Sequence, residues 1–212
     1  MTERGIWLAD AAQRENLGAF VQRALRLDEA AVIRLRERGG GVVVAWAATG
    51  FEVLASRVVA GRVQPGDLCA GADALVAAPR NADGYVDPGF AMDSAWRGAL
   101  PPDTGFVHLD DVPAATLVEL SERGASLARE HSGAHGPPPS LLDQEVLTVS
   151  AGDESAGVPM RCVFALTAMG LLPDPIPADE VVRVRVSPAW LRIDARYGSV
   201  YRHRGGPILL MT

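Results

Sequence analysis

The sequence predicts an α+β protein, antiparallel sheets covered by helices in two halves, and three observations carry that prediction. Apolar and polar residues alternate with period two through 31–38 and again through 181–204, as in half-buried strands. Apolar residues recur at three- and four-residue spacing after Asp10, and a second helical stretch follows Asp111, as in helices packed on one side. Between these blocks, residues 79–105 (PRNADGYVDPGFAMDSAWRGALPPDTG) are dense in Pro, Gly and Asp, which favours turns over regular structure. The expected division is an N-terminal α+β half, residues 1–105, of which 79–105 is the connection, and a C-terminal α+β half, residues 106–212. A chain of 212 residues buries enough surface for a core without metal or disulfide.

In the N-terminal half, Asp10 followed by Gln13 marks a helix start, and Leu17, Phe20, Val21, Ala24 and Leu25 form its apolar stripe. Strands are expected at 31–38, 42–49 and 52–59, the first pair joined by a turn at Gly39, Gly40 and Gly41. Residues 67–78 read as a short apolar helix, and Phe90, Met92 and Trp96 predict a strand within the Pro/Gly-rich connection. The C-terminal half opens with a strand at 106–109. A helix follows, with Asp111 as N-cap and Pro113 in its first turn, running to about His131. After the break HSGAHGPPPS, Leu141–Val149 reads as a short helix and Pro159–Leu172 as a buried one. Strands at 181–187, 190–196 and 199–204 close the fold, with Ile208–Met211 as an edge strand. The order of helices 112–130, 141–149 and 159–172 followed by a hairpin resembles a winged helix. Its third helix offers only Arg161 and Thr167 as polar side chains besides its ends, too few to read base edges, so a structural role is expected.

Composition narrows the function classes. With 48% hydrophobic and 22% charged residues the chain matches a soluble globular protein. All 20 basic residues are Arg and none is Lys, which points to a GC-rich genome and weakens any argument that a given Arg is specially chosen. Cys69 and Cys162 are far apart with no CxxC spacing, so buried, reduced thiols are expected rather than a zinc site or disulfide. The N-terminus lacks the apolar run of a secretory signal. The longest apolar stretches, Val42–Ala48 and Cys162–Leu172, fall short of the roughly 20 residues that span a bilayer, so a cytoplasmic location without membrane contact is expected. Nucleophile elbows, phosphate-binding loops and dinucleotide fingerprints are absent, and no cofactor is implied.

Charge supplies the candidate site. Residues 181–204 carry six Arg against one Asp, a net +5, while residues 1–180 carry a net −11. On the strands, Val182, Val184 and Val186 oppose Arg183 and Arg185, and Leu191, Ile193 and Ala195 oppose Arg192, Asp194 and Arg196. In the third strand, packing Tyr201 inward sends Arg202 and Arg204 outward. That choice is expected because burying unpaired guanidinium groups is costly. Arg183, Arg185, Arg192, Arg196, Arg202 and Arg204 are therefore the candidate anion- or partner-binding residues.

They describe a non-enzymatic binding or accessory protein that meets an acidic protein partner or a second copy of itself through an Arg-rich sheet face. Single-stranded nucleic acid is the alternative, with Trp190, Tyr197 and His203 interleaving as stacking groups. A third class is an acid–base or metal-assisted hydrolase built on His108, Asp110 and Asp111 or on Asp83, Asp87 and Asp93, positions that equally suit turn chemistry. The plainest reading is a solvated sheet face neutralised by residues 67–180, which hold 18 acids and five Arg. Arg34, Arg36 and Arg38 repeat the two-residue spacing in the first hairpin. His131 and His135 have metal-compatible spacing but lie among glycines without a third ligand.

Overall fold

A computed structural model describes residues 4–78, 84–131 and 138–205. The chain forms two units, one of Met1–Gly50 with Leu54–Leu100 and one of Phe51–Val53 with Pro101–Thr212.

The first unit opens with β1 (Gly5–Leu8) and α1 (Ala11–Leu27), continues through β2 (Val32–Arg38), β3 (Val42–Ala48), β4 (Leu54–Gln64) and β5 (Asp67–Gly71), and ends with α2 (Ala72–Ala77), β6 (Tyr85–Val86) and a 3-10 turn at Asp93–Ala95. All strand pairings are antiparallel: β5 pairs β2, β2 pairs β3, and β3 pairs the first part of β4. The last residues of β4, Gly61–Gln64, instead pair β1, and β1 also pairs β6. Gly61 marks the handover, because a Cβ there would collide with the Trp7 carbonyl. Asp10 caps α1, accepting a 2.8 Å bond from the Gln13 N–H. Leu17, Phe20, Val21 and Ala24 form the buried stripe of α1, in one core with Ile6, Ile33, Leu35 and Leu68.

The second unit runs β7 (Val107–Pro113), α3 (Ala114–His131), a single turn α4 (Pro139–Leu142), β8 (Glu145–Ala151), β9 (Glu154–Pro159), α5 (Met160–Ala168), β10 (Val181–Val186), β11 (Trp190–Ala195) and β12 (Gly198–His203). β7, β10, β11 and β12 lie side by side in one antiparallel sheet, while β8 and β9 form a separate two-stranded hairpin. α3 and α5 pack closely at Gly124, where a Cβ would run into Met160 and Phe164, and Ser121 and Thr167 share a 3.0 Å hydroxyl hydrogen bond beside it. Met160 to Leu166 are all buried, so α5 is a core helix without an exposed reading face.

The fold is α+β with antiparallel sheets and few helices, and the local departures from expectation have physical reasons. Residues 67–78 divide into β5 and α2, because Leu68, Cys69 and Ala70 are a continuous buried run that serves as a strand against β2. Of the expected helix at 141–149 only Leu141 and Leu142, the end of α4, are helical. The segment after it is β8, turned back on β9 at Gly152, whose φ of 56° suits glycine. The winged-helix-like order therefore does not form. β7 extends through Asp111, which pairs with Arg183 across the ladder instead of capping a helix. The expected strand around Phe90 and Trp96 is replaced by β6 and the 3-10 turn, and Phe90 is exposed. The four-residue β1 is too short to register as a period. Asp83, His135 and Ile208–Met211 lie outside the described residues, as does the His131 side chain.

Candidate functional site

The six arginines chosen by charge do not share one surface. Directly opposed residues of an antiparallel ladder project to the same side. The pairs Arg183↔Asp194, Arg185↔Arg192 and Arg192↔Tyr201 therefore put three Arg with Asp194 and Tyr201 on one face, whereas Leu191↔Arg202 puts Arg202 on the other. This corrects the expectation for the third strand: Tyr201 turns toward the Arg face, Val200 packs with Ile193, and Arg202 points away from Arg192. Burying a guanidinium did not decide the matter, because Arg202 has an acid partner on its own side.

On the first face the charges are balanced internally. Asp194 Oδ1 accepts from Arg192 Nε at 2.6 Å and from the Ser199 hydroxyl at 2.5 Å, while Oδ2 lies 3.0 Å from Arg185 Nη1. The Arg192 guanidinium sits 5.5 Å from both the Phe106 and the Tyr201 ring centres, a cation–π arrangement. Arg183 Nε is 3.9 Å from Asp111, which also stands 3.4 Å from His108 Nε2. Arg196 lies in the turn after β11 and is hydrogen-bonded to Glu180, which raises its pKa above the ordinary arginine value. Tyr197, beside it, donates its backbone N–H to Leu171 O at 3.0 Å.

The other two arginines border a groove of about 470 Å³ between the β8–β9 hairpin and the end of β12, lined among others by Glu145, Thr148, Ser155, Gly157 and Leu191. Arg202 Nη2 donates to Asp143 Oδ1 at 3.2 Å. That carboxylate is fixed in turn by the buried Arg161, at 2.6 Å from Nη2 and 3.1 Å from Nε, and Arg161 Nη1 also reaches Glu52 at 2.9 Å and Phe51 O at 2.8 Å. Arg204 bonds only carbonyls among the described residues, Ser187 O at 3.1 Å and Ser155 O at 3.2 Å, so its charge meets no carboxylate there. His203 stands edge-on to Trp190 at 5.2 Å, and its buried Nδ1 has no hydrogen-bond partner among the described residues. Beneath this side, burial pushes the Cys162 thiol up to about 12, against the opposing pull of Arg202 and then Arg161.

The remaining candidates have structural partners. Arg34 grips Asp67 with two bonds, at 2.8 and 2.7 Å, and Arg36 lies 3.9 Å from the same carboxylate. Asp93 accepts the Cys69 N–H at 3.0 Å, Asp87 the Gly89 N–H at 2.9 Å, and Asp110 the Asp111 N–H at 2.8 Å, all local backbone bracing. Among the described residues no group of three or more His, Cys, Asp or Glu is placed to hold a metal ion, and no helix is long and apolar enough to cross a membrane. Asp143 and Arg161 escape a sequence reading, since nothing in spacing or composition links them to a strand about 60 residues away.

Two family models match the sequence, one described as Domain of unknown function (DUF8010) over residues 1–98 and one described as Domain of unknown function (DUF8185) over residues 101–207. No curated protein matches it. Its structural neighbours are DNA polymerase sliding clamps. The DNA polymerase III subunit beta of Pseudomonas aeruginosa is similar with a TM-score of 0.55 at 14% identity, over 92% of this chain and 64% of that one. The pol III beta of Caulobacter crescentus gives 0.57 at 12%, over 97% and 67%. The beta clamp of Helicobacter pylori, bound to a DNA ligase peptide, gives 0.53 at 11%, over 97% and 67%. The chain thus spans about two thirds of the length of these clamps, and at such identities the likeness is one of fold.

Proposed function

We propose that this chain, which belongs to the DUF8185 domain family, is a cytoplasmic, non-enzymatic accessory protein that docks an acidic segment of a partner protein in the groove bordered by Arg202 and Arg204. The observation that carries the reading is the state of Arg204: a guanidinium at a concave surface, held in place by two carbonyls and in no ion pair with a carboxylate among the described residues, in a groove that Glu145 also lines. Carbonyls orient an Arg without cancelling its charge, so a ligand carboxylate still gains a charge-assisted bond there. Arg202 stands ready on the same wall, aimed by Asp143. Support of a different kind comes from the sliding-clamp fold, of which one solved member is bound to a peptide of another protein.

Nucleic acid is the second reading, favoured by those same polymerase-subunit neighbours and by the stacked Arg192, Phe106 and Tyr201. Against it stand the net charge of −6 and the carboxylates already bound to Arg183, Arg185 and Arg192.

One titration separates the two. Fluorescence anisotropy of a labelled Val-Glu-Val-Glu-Val peptide should report binding that weakens about tenfold or more in Arg202→Gln/Arg204→Gln, the loss of charge-assisted bonds, and changes little in Arg183→Ala/Arg185→Ala/Arg192→Ala. A labelled oligothymidylate should bind poorly. Binding that is lost with Arg183, Arg185 and Arg192 instead, or that favours the oligonucleotide with a log–log salt slope of about −0.7 per contact, would replace the proposed site.

A further inference from the structure

Among the described residues β9 is paired with another strand along one edge. It pairs β8 through Ser150↔Ser155, Val149↔Ala156, Thr148↔Gly157 and Leu147↔Val158, and these two strands form a sheet by themselves among the described residues. β1 of the first unit likewise leads into a helix that precedes a three-stranded meander, and it is paired on both edges, by β4 and by β6. The outer edge of β9 instead faces the groove, whose lining takes in Ser155, Ala156 and Gly157 on one side and Arg202, His203 and Arg204 on the other.

The direction of the backbone groups follows from a side-chain bond. Ser155 O accepts from Arg204 Nη2 at 3.2 Å, so that carbonyl points away from β8. Peptide groups alternate in direction along an antiparallel strand, so the N–H and C=O of Gly157, two residues on, point the same way. Gly157 carries no side chain to obstruct the approach, and the Glu145 carboxylate folds over it where a Cβ would sit.

From this arrangement we infer that the partner segment binds as an added β-strand along the outer edge of β9, using the Gly157 amide and carbonyl, with an acidic side chain at the Ser155 end beside Arg204. The inference rests on the proposed docking role and names the binding mode at that same groove. An exposed strand edge is a template for pairing with another chain, and main-chain bonds supply affinity while a side-chain pocket supplies selectivity. The Arg204 bond to Ser155 O protects the edge at one point, and the Glu145 carboxylate covers Gly157 from the Cβ side, off the line of the edge.

The test uses the full chain and the Val-Glu-Val-Glu-Val peptide with amide hydrogen exchange as readout. At saturating peptide, exchange at Gly157 should slow about tenfold or more, and peptides N-methylated in one alternate register should lose about tenfold in affinity while those methylated in the other register keep it. Peptide that binds in an Arg204-dependent way, yet leaves Gly157 exchange unchanged and tolerates methylation in both registers, would overturn strand addition and leave the docking role standing. No binding by any peptide would overturn both. Binding seen only after removal of residues 206–212 would assign the edge to this chain's own tail and overturn the inference.

Discussion

The two sides of the β10–β11–β12 sheet hold the same kind of residue and treat it in opposite ways. On one side Arg185, Arg192 and Ser199 converge on the single carboxylate of Asp194, and Arg192 is further covered by Phe106 and Tyr201. On the other, Asp143 takes one Arg202 bond while serving Arg161, and Arg204 holds only carbonyls among the described residues. The first arrangement consumes its charge in the fold. The second keeps charge at a groove. Arginine number is therefore a poor guide to function here, and what distinguishes the sides is the ratio of carboxylates to guanidinium groups within reach.

The largest way to break the comparison is to remove the group that aims Arg202. Arg161 is buried and bonded to Asp143, Glu52 and Phe51 O. Arg161→Ala takes a cation from two exposed carboxylates, of which Asp143 keeps Arg202, and loses the charge-assisted bonds of a buried side chain, at a cost of about 1.5–3 kcal/mol. Urea unfolding should show a midpoint lowered accordingly. Arg161→Met, which fills the space without restoring the charge, should recover part of the stability and none of the peptide affinity. An Arg161→Met protein that binds peptide as wild type does would mean that Asp143 needs no cation to hold Arg202.

A smaller change should convert the closed side into an open one. Asp194→Asn keeps the shape and removes the charge that Arg185 and Arg192 share, at a cost of about 1–3 kcal/mol for weakened charge-assisted bonds. Arg185 and Arg192 then lose their shared carboxylate, with aromatic rings beside Arg192, the surface that single strands favour. The variant should gain oligothymidylate binding with a log–log salt slope of about −1.4, as for two phosphate contacts. Salt-insensitive binding, or none at low salt, would show that the aromatic packing and not Asp194 keeps this side closed.

The same contrast explains what the sequence made legible. β10 is readable because valines and arginines alternate from Val182 to Val186, and burying the valines settles the register. The helix after Asp10 is readable because its cap and stripe are local features. Val200 and Tyr201 are both buried, so periodicity alone leaves β12 undecided, and the aromatic contact of Tyr201 with Phe106 and Arg192 decides it from about 100 residues away. The β8–β9 hairpin reads as helix because Leu141 to Val149 mixes both periods, which outweighs the hairpin signal of its two-residue Gly152–Asp153 turn. The groove depends on Asp143, Arg161 and Ser155, none of which differs in sequence from an ordinary surface polar residue. Partners separated by tens of residues leave no mark in local pattern.

The smallest effect reads the two sides through a thiol. Burial pushes Cys162 from an ordinary 9.0 to about 12, and the guanidinium groups that pull against this shift are those of Arg202 and Arg161. Cys69 in the first unit is likewise raised by burial, to about 11. In the fold both thiols stay neutral at a pH where the unfolded chain ionises them, so the unfolded state releases protons first. The stabilising difference is complete below pH 9 and is lost as pH rises, with a slope of about 1.4 kcal/mol per pH unit for each thiol until its folded value is passed. Urea midpoints from pH 8 upward should therefore fall in wild type and fall less steeply in Cys162→Ala. Arg202→Gln removes one of the charges that favours the thiolate and should carry the alkaline loss on to a higher pH, whereas Arg185→Gln, on the opposite side, should leave the end of the loss where it is. Losses that end at the same pH in the two Arg variants would mean that Cys162 does not sense the groove.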